Sequence, residues 1–385
     1  MERTIVHTDL DSFFVSCERL RDSRLNNIPL IIGGSSDRGV VASCSYEARH
    51  FGVRSAMPMR YALRLCPQAK VIRGDMEWYA NKSAEVTQII SENAPVMEKA
   101  SIDEFYIDVS GLDKFFGCYK WTNELVEKII KETGLPLSFG LSVNKTVSKI
   151  ATSEGKPLGK IEIQAPMVQG FLNPLSIKKI PMIGDETYRE LSKIGFRVIQ
   201  HLAEAPQESL YRLFGANGNT IWKKANGIDN NPVLPYCERK SISTERTFEK
   251  DTTSIPELKA LLTKMVEELA FDLRKSAQLT SVVSVKIRYS DFNTETKQKK
   301  ISFSANDDIL INTILSLFDT LYQRRVLIRL VGVRFSGLIH GHPQIDLFED
   351  TEEQINLYQA IDKMKKRFGN HVITKAITMN AYKGK

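Results

Sequence analysis

Thr4-Ile5-Val6-His7-Thr8-Asp9-Leu10-Asp11 opens the chain, and Ser101-Ile102-Asp103-Glu104-Phe105-Tyr106-Ile107-Asp108-Val109 follows about a hundred residues later. Both stretches carry the β-branched and aromatic residues of strands. The first delivers Asp9 and the second leaves Asp103 and Glu104, so pairing the two strands would converge three carboxylates. Three carboxylates in one place repel one another unless strong positive charge sits among them. Hard oxygen donors with room for phosphate and water suit magnesium better than zinc. The chemistry these strands point to is metal-assisted phosphoryl transfer. Either acidic cluster alone reads as a solvated turn or a strand-end ion pair; the pair of them, with the residues around them, does not.

Working outward, 385 residues are too many for one core and suit two to four domains. Hydrophobic residues at 42% and charged residues at 26% fit a water-soluble protein and leave no apolar stretch long enough to span a bilayer. The N-terminus enters a strand at once without a signal-peptide pattern, so a cytoplasmic location and no membrane partner are expected. Five scattered cysteines, Cys17, Cys44, Cys66, Cys118 and Cys237, lack metal-ligand spacing and read as reduced thiols. The net charge of +7 permits a polyanionic partner, and its distribution matters more than its size. Between Arg239 and His340, 17 Lys and Arg stand against 12 Asp and Glu, so most of the excess lies in one region.

From Met1 to about Gln164 the chain alternates strands (Thr4–Thr8, Leu30–Gly33, Val40–Ser43, Lys70–Ile72, Phe105–Val109, Leu137–Val143) with helical stretches such as Trp121–Glu132, which makes an α/β catalytic unit. Residues from about Asp22 to Asp75 form an inserted subdomain. A helical region with glycine turns follows, in which Ile180-Pro181-Met182-Ile183-Gly184 resembles a helix–hairpin–helix offering backbone N–H groups to a DNA phosphate. After a polar, proline-punctuated linker the pattern is strand, helix, strand, strand, helix, strand. In Val282–Tyr289, Val283, Val285, Ile287 and Tyr289 share one face, while Ser284, Lys286 and Arg288 share the other. The last strand likewise separates Val331, Val333 and Phe335 from Arg334 and Ser336. One face is apolar and the other cationic or hydroxylated, as suits a sheet packed on helices and laid against a phosphate backbone.

Asp9-Leu-Asp-Ser-Phe-Phe14, Tyr46-Glu-Ala-Arg49-His-Phe-Gly-Val53, Ser101-Ile-Asp-Glu104 and Lys156-Pro157 occur in this order along one chain. With them the sequence resembles the Y-family DNA polymerases, and within these the DNA polymerase IV (DinB) branch. The resemblance implies a multidomain α/β and α+β right-hand polymerase. Its parts are a ferredoxin-like palm over 1–21 and 76–165, small fingers over 22–75, a helical thumb over 166–232, a linker over 233–240, a βαββαβ little finger over 241–340 and a tail over 341–385. It implies a template-directed, low-fidelity DNA polymerase for translesion synthesis, working as a monomer on primer-template DNA and deoxynucleoside triphosphates. Asp9, Asp103 and Glu104, with the backbone carbonyl of Leu10, match the ligands of two Mg²⁺ ions. Asp11 matches no metal ligand and reads as structural or as a support for the ligands. Ser43, Tyr46, Arg49 and Lys156 match triphosphate-binding positions, and Phe14 matches the aromatic that excludes a 2′-hydroxyl. Val40 and Ala42 fall where small residues cover the templating base pair. Candidate DNA contacts are Ser241, Ser243 and Arg288, with Arg329 and Arg334 at positions where the family holds the backbone.

Departures from the family pattern stand at Leu158, Met182 and Leu330, the last where a second arginine sometimes occurs. Leu158 replaces the asparagine usual after Lys-Pro, and Met182 replaces the glycine usual in the thumb hairpin. In the tail, Gln344-Ile-Asp-Leu347-Phe348 resembles the peptide by which bacterial polymerases hook onto the sliding clamp, with Gln344, Leu347 and Phe348 as anchors. A helix is expected from about Glu352 to Phe368, either packed or available for a further contact. Two other readings share parts of this pattern: another two-metal palm enzyme such as a nucleotide cyclase, and a catalytically silent homologue acting as an adaptor on the clamp. A cyclase needs neither thumb hairpin nor basic domain, and a silent homologue would be marked by loss of a metal carboxylate.

Overall fold

β1 (Ile5–Leu10) is buried along nearly its whole length and leads into α1 (Phe13–Arg21) through Ser12, whose φ of 44 reverses the chain in one residue. The computed structural model describes residues 3–34, 38–112, 117–235, 238–341, 351–369 and 372–378. The chain next makes an excursion through β2 (Leu30–Gly33), β3 (Val41–Cys44), α2 (Tyr46–His50), α3 (Met59–Leu65) and β4 (Lys70–Ile72). These strands form their own sheet in the order β3-β2-β4, over a small core that includes Ile31, Val41, Cys44, Val53 and Met59. Arg19 of α1 donates to both carboxylate oxygens of Glu47 at 3.0 Å, which fastens the excursion to the first helix.

The chain returns through α4 (Met76–Asn93), β5 (Val96–Lys99), β6 (Glu104–Asp108), α5 (Cys118–Thr133), β7 (Leu137–Ser142), α6 (Lys145–Gly155) and β8 (Lys160–Glu162). The five-stranded order β5-β6-β1-β7-β8 puts β1 in the centre, antiparallel to both neighbours. Residues opposite one another in a ladder share a face. Val6, Ile107 and Leu141 therefore point together, as do Thr8, Phe105 and Phe139, and α1, α4 and α5 cover this side with Phe13, Val86, Ile90, Val126 and Ile129. The other side carries His7, Asp9, Tyr106, Glu104 and Ser138 and belongs to α6. Gly140 lets α6 lie against the sheet, since a Cβ there would come within 2.3 Å of the Ser148 carbonyl oxygen. β1 runs two residues beyond the expected Thr4–Thr8 because Leu10 pairs with Leu137, so Asp9 lies inside the strand rather than at its end.

Helices α7 (Val168–Leu172), α8 (Asp185–Lys193), α9 (Ile199–Glu204), α10 (Gln207–Phe214) and α11 (Ala216–Ala225) follow. Their core, with Leu172, Leu191, Leu202, Leu210 and Ile221, is continuous with Val147, Ile150 and Ala151 of α6. One helix therefore serves both the catalytic sheet and the helical region after it.

The chain divides into two units between Cys237 and Glu238. The second runs β9 (Ser241–Thr252), α12 (Ile255–Lys275), β10 (Gln278–Tyr289), β11 (Thr294–Ser304), α13 (Asp307–Leu321) and β12 (Ile328–His340), with sheet order β11-β10-β12-β9. Leu258, Leu262, Val266, Leu269 and Leu273 of α12 meet Val283, Val285, Ile287 and Phe335 in its core. The tail helix α14 (Thr351–Phe368) is packed against this unit by polar bonds. Arg274 is clasped between Asp307 at 2.5 Å and Asp362 at 2.8 Å, and the Tyr358 hydroxyl donates to Asp308 at 2.9 Å. Cys17, Cys44, Cys66 and Cys118 are buried thiols. Among the described residues no helix is long and apolar enough to cross a membrane.

Candidate active site

Asp9 stands directly opposite Glu104 in the β1–β6 ladder, and the Leu10 N–H donates to the Asp103 carbonyl at 3.0 Å. The two acidic clusters of the sequence thus meet across one strand pair. Ser101 shapes the turn before β6. Its hydroxyl donates to Asp103 at 2.6 Å and accepts from the Glu104 N–H at 3.0 Å. Burial pushes the Asp9 carboxyl up to about 6; Lys156 pulls it down, and Glu104 and Asp103 add to the rise. Charge is supplied from α6 and just beyond it. Lys149 donates to both Glu104 oxygens at 2.7 and 2.6 Å, and Lys156 pairs with Asp9. Behind them the His7 ring is held well below its ordinary range by burial and by Lys149 and Lys156, so it sits neutral with Nδ1 2.9 Å from the Thr152 hydroxyl.

Among the described residues no three acidic, His or Cys side chains are drawn together as a ready-made metal cage, because Asp9 turns to Lys156, Glu104 to Lys149 and Asp103 to Ser101. The donor set is nevertheless all oxygen, its members repel one another, and cations already gather round it. These residues fit a hard divalent ion.

Phe14, in the first turn of α1, is half-buried, whereas its neighbour Phe13 is 2% exposed and belongs to the core. The Phe14 ring stacks on Tyr79 of α4 with centroids 4.3 Å apart and planes 13° apart. The Tyr79 hydroxyl donates to the buried Glu18 at 2.6 Å. One face of Phe14 is therefore braced by a fixed ring.

Tyr46 opens α2, whose start is capped by the Ser45 hydroxyl accepting from Ala48 at 3.3 Å. Arg49, one turn on, lies 4.7 Å over the Tyr46 ring. The Tyr46 hydroxyl reaches back to β1's neighbour and donates to Asp11 at 3.2 Å; burial, and next the Asp11 charge, raise its pKa. Tyr46, Arg49 and Lys156 are thus gathered on one side of the carboxylates. Ser43 is half-buried on β3, and Val40 and Ala42 beside it are exposed.

In the second unit, Arg334 faces Ser284 on one side and Ser243 on the other, and Ser336 faces Ser241. Arg288 lies on the same face, opposite Leu330 and Thr294. Arg329 is the extra residue where β12 slips register against β10, a bulge that re-aims its side chain. Its guanidinium lies 4.7 Å over the exposed Phe292 ring. Lys286 on this face is paired with Glu245 at 2.8 Å. Gln344, Leu347 and Phe348 lie outside the described residues.

Sequence reasoning missed Lys149, Ser101, Tyr79 and Ser138. Lys149, Tyr79 and Ser138 act through contacts distant in the chain, whereas Ser101 acts within its own turn, and a lysine or serine on a helix or turn carries no local signal. The departures Leu158 and Met182 both have positive φ, 53 and 88, and are both 59% exposed.

The impB/mucB/samB family profile matches residues 8–153, and the profile of that family's C-terminal domain matches residues 239–347. A DNA polymerase IV of Dehalococcoides mccartyi is 36% identical over 371 residues, covering 95% of each chain. One from Treponema denticola is 32% identical over 381 residues, covering 97% of this chain and 96% of its own. The solved structure of a Y-family DNA polymerase chimera of Dbh and Dpo4 superposes with a TM-score of 0.79 at 26% identity, over 88% of this chain and 100% of that one. The chain belongs to the impB/mucB/samB family and has the palm, fingers, thumb and little-finger architecture of a Y-family DNA polymerase of the DNA polymerase IV branch, a low-fidelity translesion nucleotidyltransferase that binds DNA and nucleotides and depends on divalent metal.

Proposed function

We propose that this polymerase extends a primer by two-metal nucleotidyl transfer, with Asp9, Asp103, Glu104 and the Leu10 carbonyl as metal ligands. The observation that carries the reading is the Asp9–Glu104 pairing, which sets one carboxylate from each acidic cluster on the sheet face opposite α1, α4 and α5. Two Mg²⁺ ions bound there would lower the pKa of the primer 3′-hydroxyl and neutralise the pyrophosphate. Lys149 and Lys156 balance the carboxylates in the absence of substrate. When a nucleotide enters, Lys156 and Arg49 supply charge to its β and γ oxygens, with Tyr46 and Ser43 as hydroxyl partners. Phe14, braced by Tyr79, fills the space a 2′-hydroxyl needs. Exposed Val40 and Ala42 give a roomy cover over the base pair, which suits damaged templates.

Ser241, Ser243, Arg288, Arg329 and Arg334 hold DNA phosphates from one face of the four-stranded sheet. Gln344, Leu347 and Phe348 anchor the enzyme to a sliding clamp, and the chain works as a monomer. The test of the catalytic assignment is single-turnover primer extension with Mg²⁺. Asp103→Ala and Glu104→Ala are expected to abolish incorporation while primer-template affinity stays within a few fold. Wild-type rates in either variant would refute the ligand set. Binding should also weaken steeply with salt; a flat response would remove the basic-sheet reading.

A further inference from the structure

Asp11 is 2% exposed, and its carboxylate collects donors from three separate parts of the first unit. The Ser138 hydroxyl of β7 lies 3.0 and 2.8 Å from its two oxygens, the Leu158 N–H reaches Oδ2 at 2.8 Å, and the Tyr46 hydroxyl reaches Oδ1 at 3.2 Å. These partners are 127, 147 and 35 residues away in sequence. Lys156 Nζ stands 3.9 Å off and is itself paired with Asp9. Ser138 also accepts from the Gly159 N–H at 3.2 Å, so both residues after Pro157 are tied to the same centre. A buried carboxylate needs such donors to be tolerated at all. A purely structural need would be met by any donors, yet those found here are Tyr46 itself and the turn that carries Lys156.

We propose that Asp11 is the positioning residue of the triphosphate site, fixing Tyr46 and the Lys156–Gly159 turn against the strand that carries Asp9. The inference rests on the assignment of Tyr46 and Lys156 to the triphosphate. One strand then sets two distances at once: Asp9 places the metal side of the nucleotide, and Asp11, two residues on, places the groups that hold its phosphates. The Tyr46 bond is the longest of the set. Asp11 steers the hydroxyl to the site, where its single proton can exchange the carboxylate for a phosphate oxygen as acceptor. Leu158 has φ 53, the conformation that aims its N–H inward at Asp11 and its side chain out to solvent. An asparagine at position 11 has one carbonyl oxygen for three donors and turns an NH₂ towards the Leu158 or Ser138 donor, so the charge and half of the acceptor capacity are lost together.

The experiment is steady-state single-nucleotide insertion by the full chain with Mg²⁺, reading nucleotide KM and kcat separately, alongside nucleotide-free primer-template Kd and Tm. Asp11→Asn should raise KM about tenfold or more, as expected for lost bonds to a charged acceptor, with kcat and DNA Kd within about threefold. Combined with Tyr46→Phe, the KM should approach that of the worse single variant and not the product of the two. An unchanged KM in folded Asp11→Asn overturns the proposal, and so does a multiplicative double variant. If Asp11→Asn does not fold, Ser138→Ala decides: a severalfold KM rise that shrinks in the Tyr46→Phe background supports the proposal, and an unchanged KM overturns it. Tyr46→Phe and Lys156→Ala separate the two levels of argument. If both leave KM unchanged, the triphosphate assignment falls and the proposal with it; if both raise KM while Asp11→Asn does not, only the role of Asp11 falls.

Discussion

Replacing Met182 by glycine should leave the chain more stable than replacing it by alanine, the reverse of the usual order. Met182 sits in the turn between the 3₁₀ segment Ile177–Lys179 and α8, with φ 88. That backbone costs an L-residue about 1–2 kcal/mol and costs glycine nothing. Elsewhere glycine is about 0.5–1 kcal/mol worse than alanine because its unfolded chain is freer. Both variants delete the same side chain, which is 59% exposed, so lost packing cancels in the comparison. The difference should be about 0.5–1 kcal/mol in favour of glycine, or a few degrees in Tm for a unit of this size. Paired urea and thermal unfolding of Met182→Gly and Met182→Ala read it directly. Equal stability, or alanine above glycine, would refute the claim that the backbone is held there against its preference. With the side chain gone the hairpin N–H groups can also approach a phosphate more closely, so primer-template affinity should rise severalfold in Met182→Gly.

Three further outcomes are expected. Phe14→Ala should admit ribonucleotides far better while deoxynucleotide insertion survives; if relative rATP and dATP insertion is unchanged and only about 3–5 kcal/mol of stability is lost, Phe14 is a packing residue alone. Leu347→Ala with Phe348→Ala should weaken clamp binding more than tenfold and spare clamp-free synthesis, as read by calorimetric titration against a clamp. Asp9 carries a folded pKa of about 6 against an ordinary 3.8, so between these values the folded chain binds more protons than the unfolded one and stability falls as pH rises. The loss is on the order of 3 kcal/mol by pH 7 without metal. Asp9→Asn should flatten this slope in metal-free denaturation curves from pH 4 to 7, and an unchanged slope would place its origin elsewhere.

The strands that carry the chemistry were readable because β-branched and aromatic runs lie next to acidic pairs whose spacing matters. β5 and β8 were not. Val96–Lys99 and Lys160–Glu162 are short and largely polar, and they become strands only because β6 and β7 offer them an edge. The second unit was legible in its order of elements because β10 and β12 alternate cleanly and α12 repeats leucine at helical spacing. In the site, residue types at fixed spacing pointed to Asp9, Asp103 and Glu104. The lysine on Glu104, the ring behind Phe14 and the hydroxyl on Asp11 were invisible, since each partner arrives from a distant segment. Leu158 and Met182 could be flagged as unusual residues, but their positive φ belongs to tertiary structure.

β1 is synthesised before both of its partners, and its position in the middle of the sheet has a consequence for the growing chain on the ribosome. Both of its neighbours come later, β6 from residues 104–108 and β7 from residues 137–142, so until Ser142 has emerged β1 has at least one bare edge. The small sheet of β2, β3 and β4 closes within residues 30–72 and can fold while β1 waits. The helical region beyond it shares its core with α6 and cannot settle before Ala151 is available. Chains that stop between Ile72 and Ser142 hold a folded insert on an open catalytic strand, a form prone to edge-to-edge aggregation. Expressible fragments of the first unit should therefore begin ahead of Ile5 and run past Ala225.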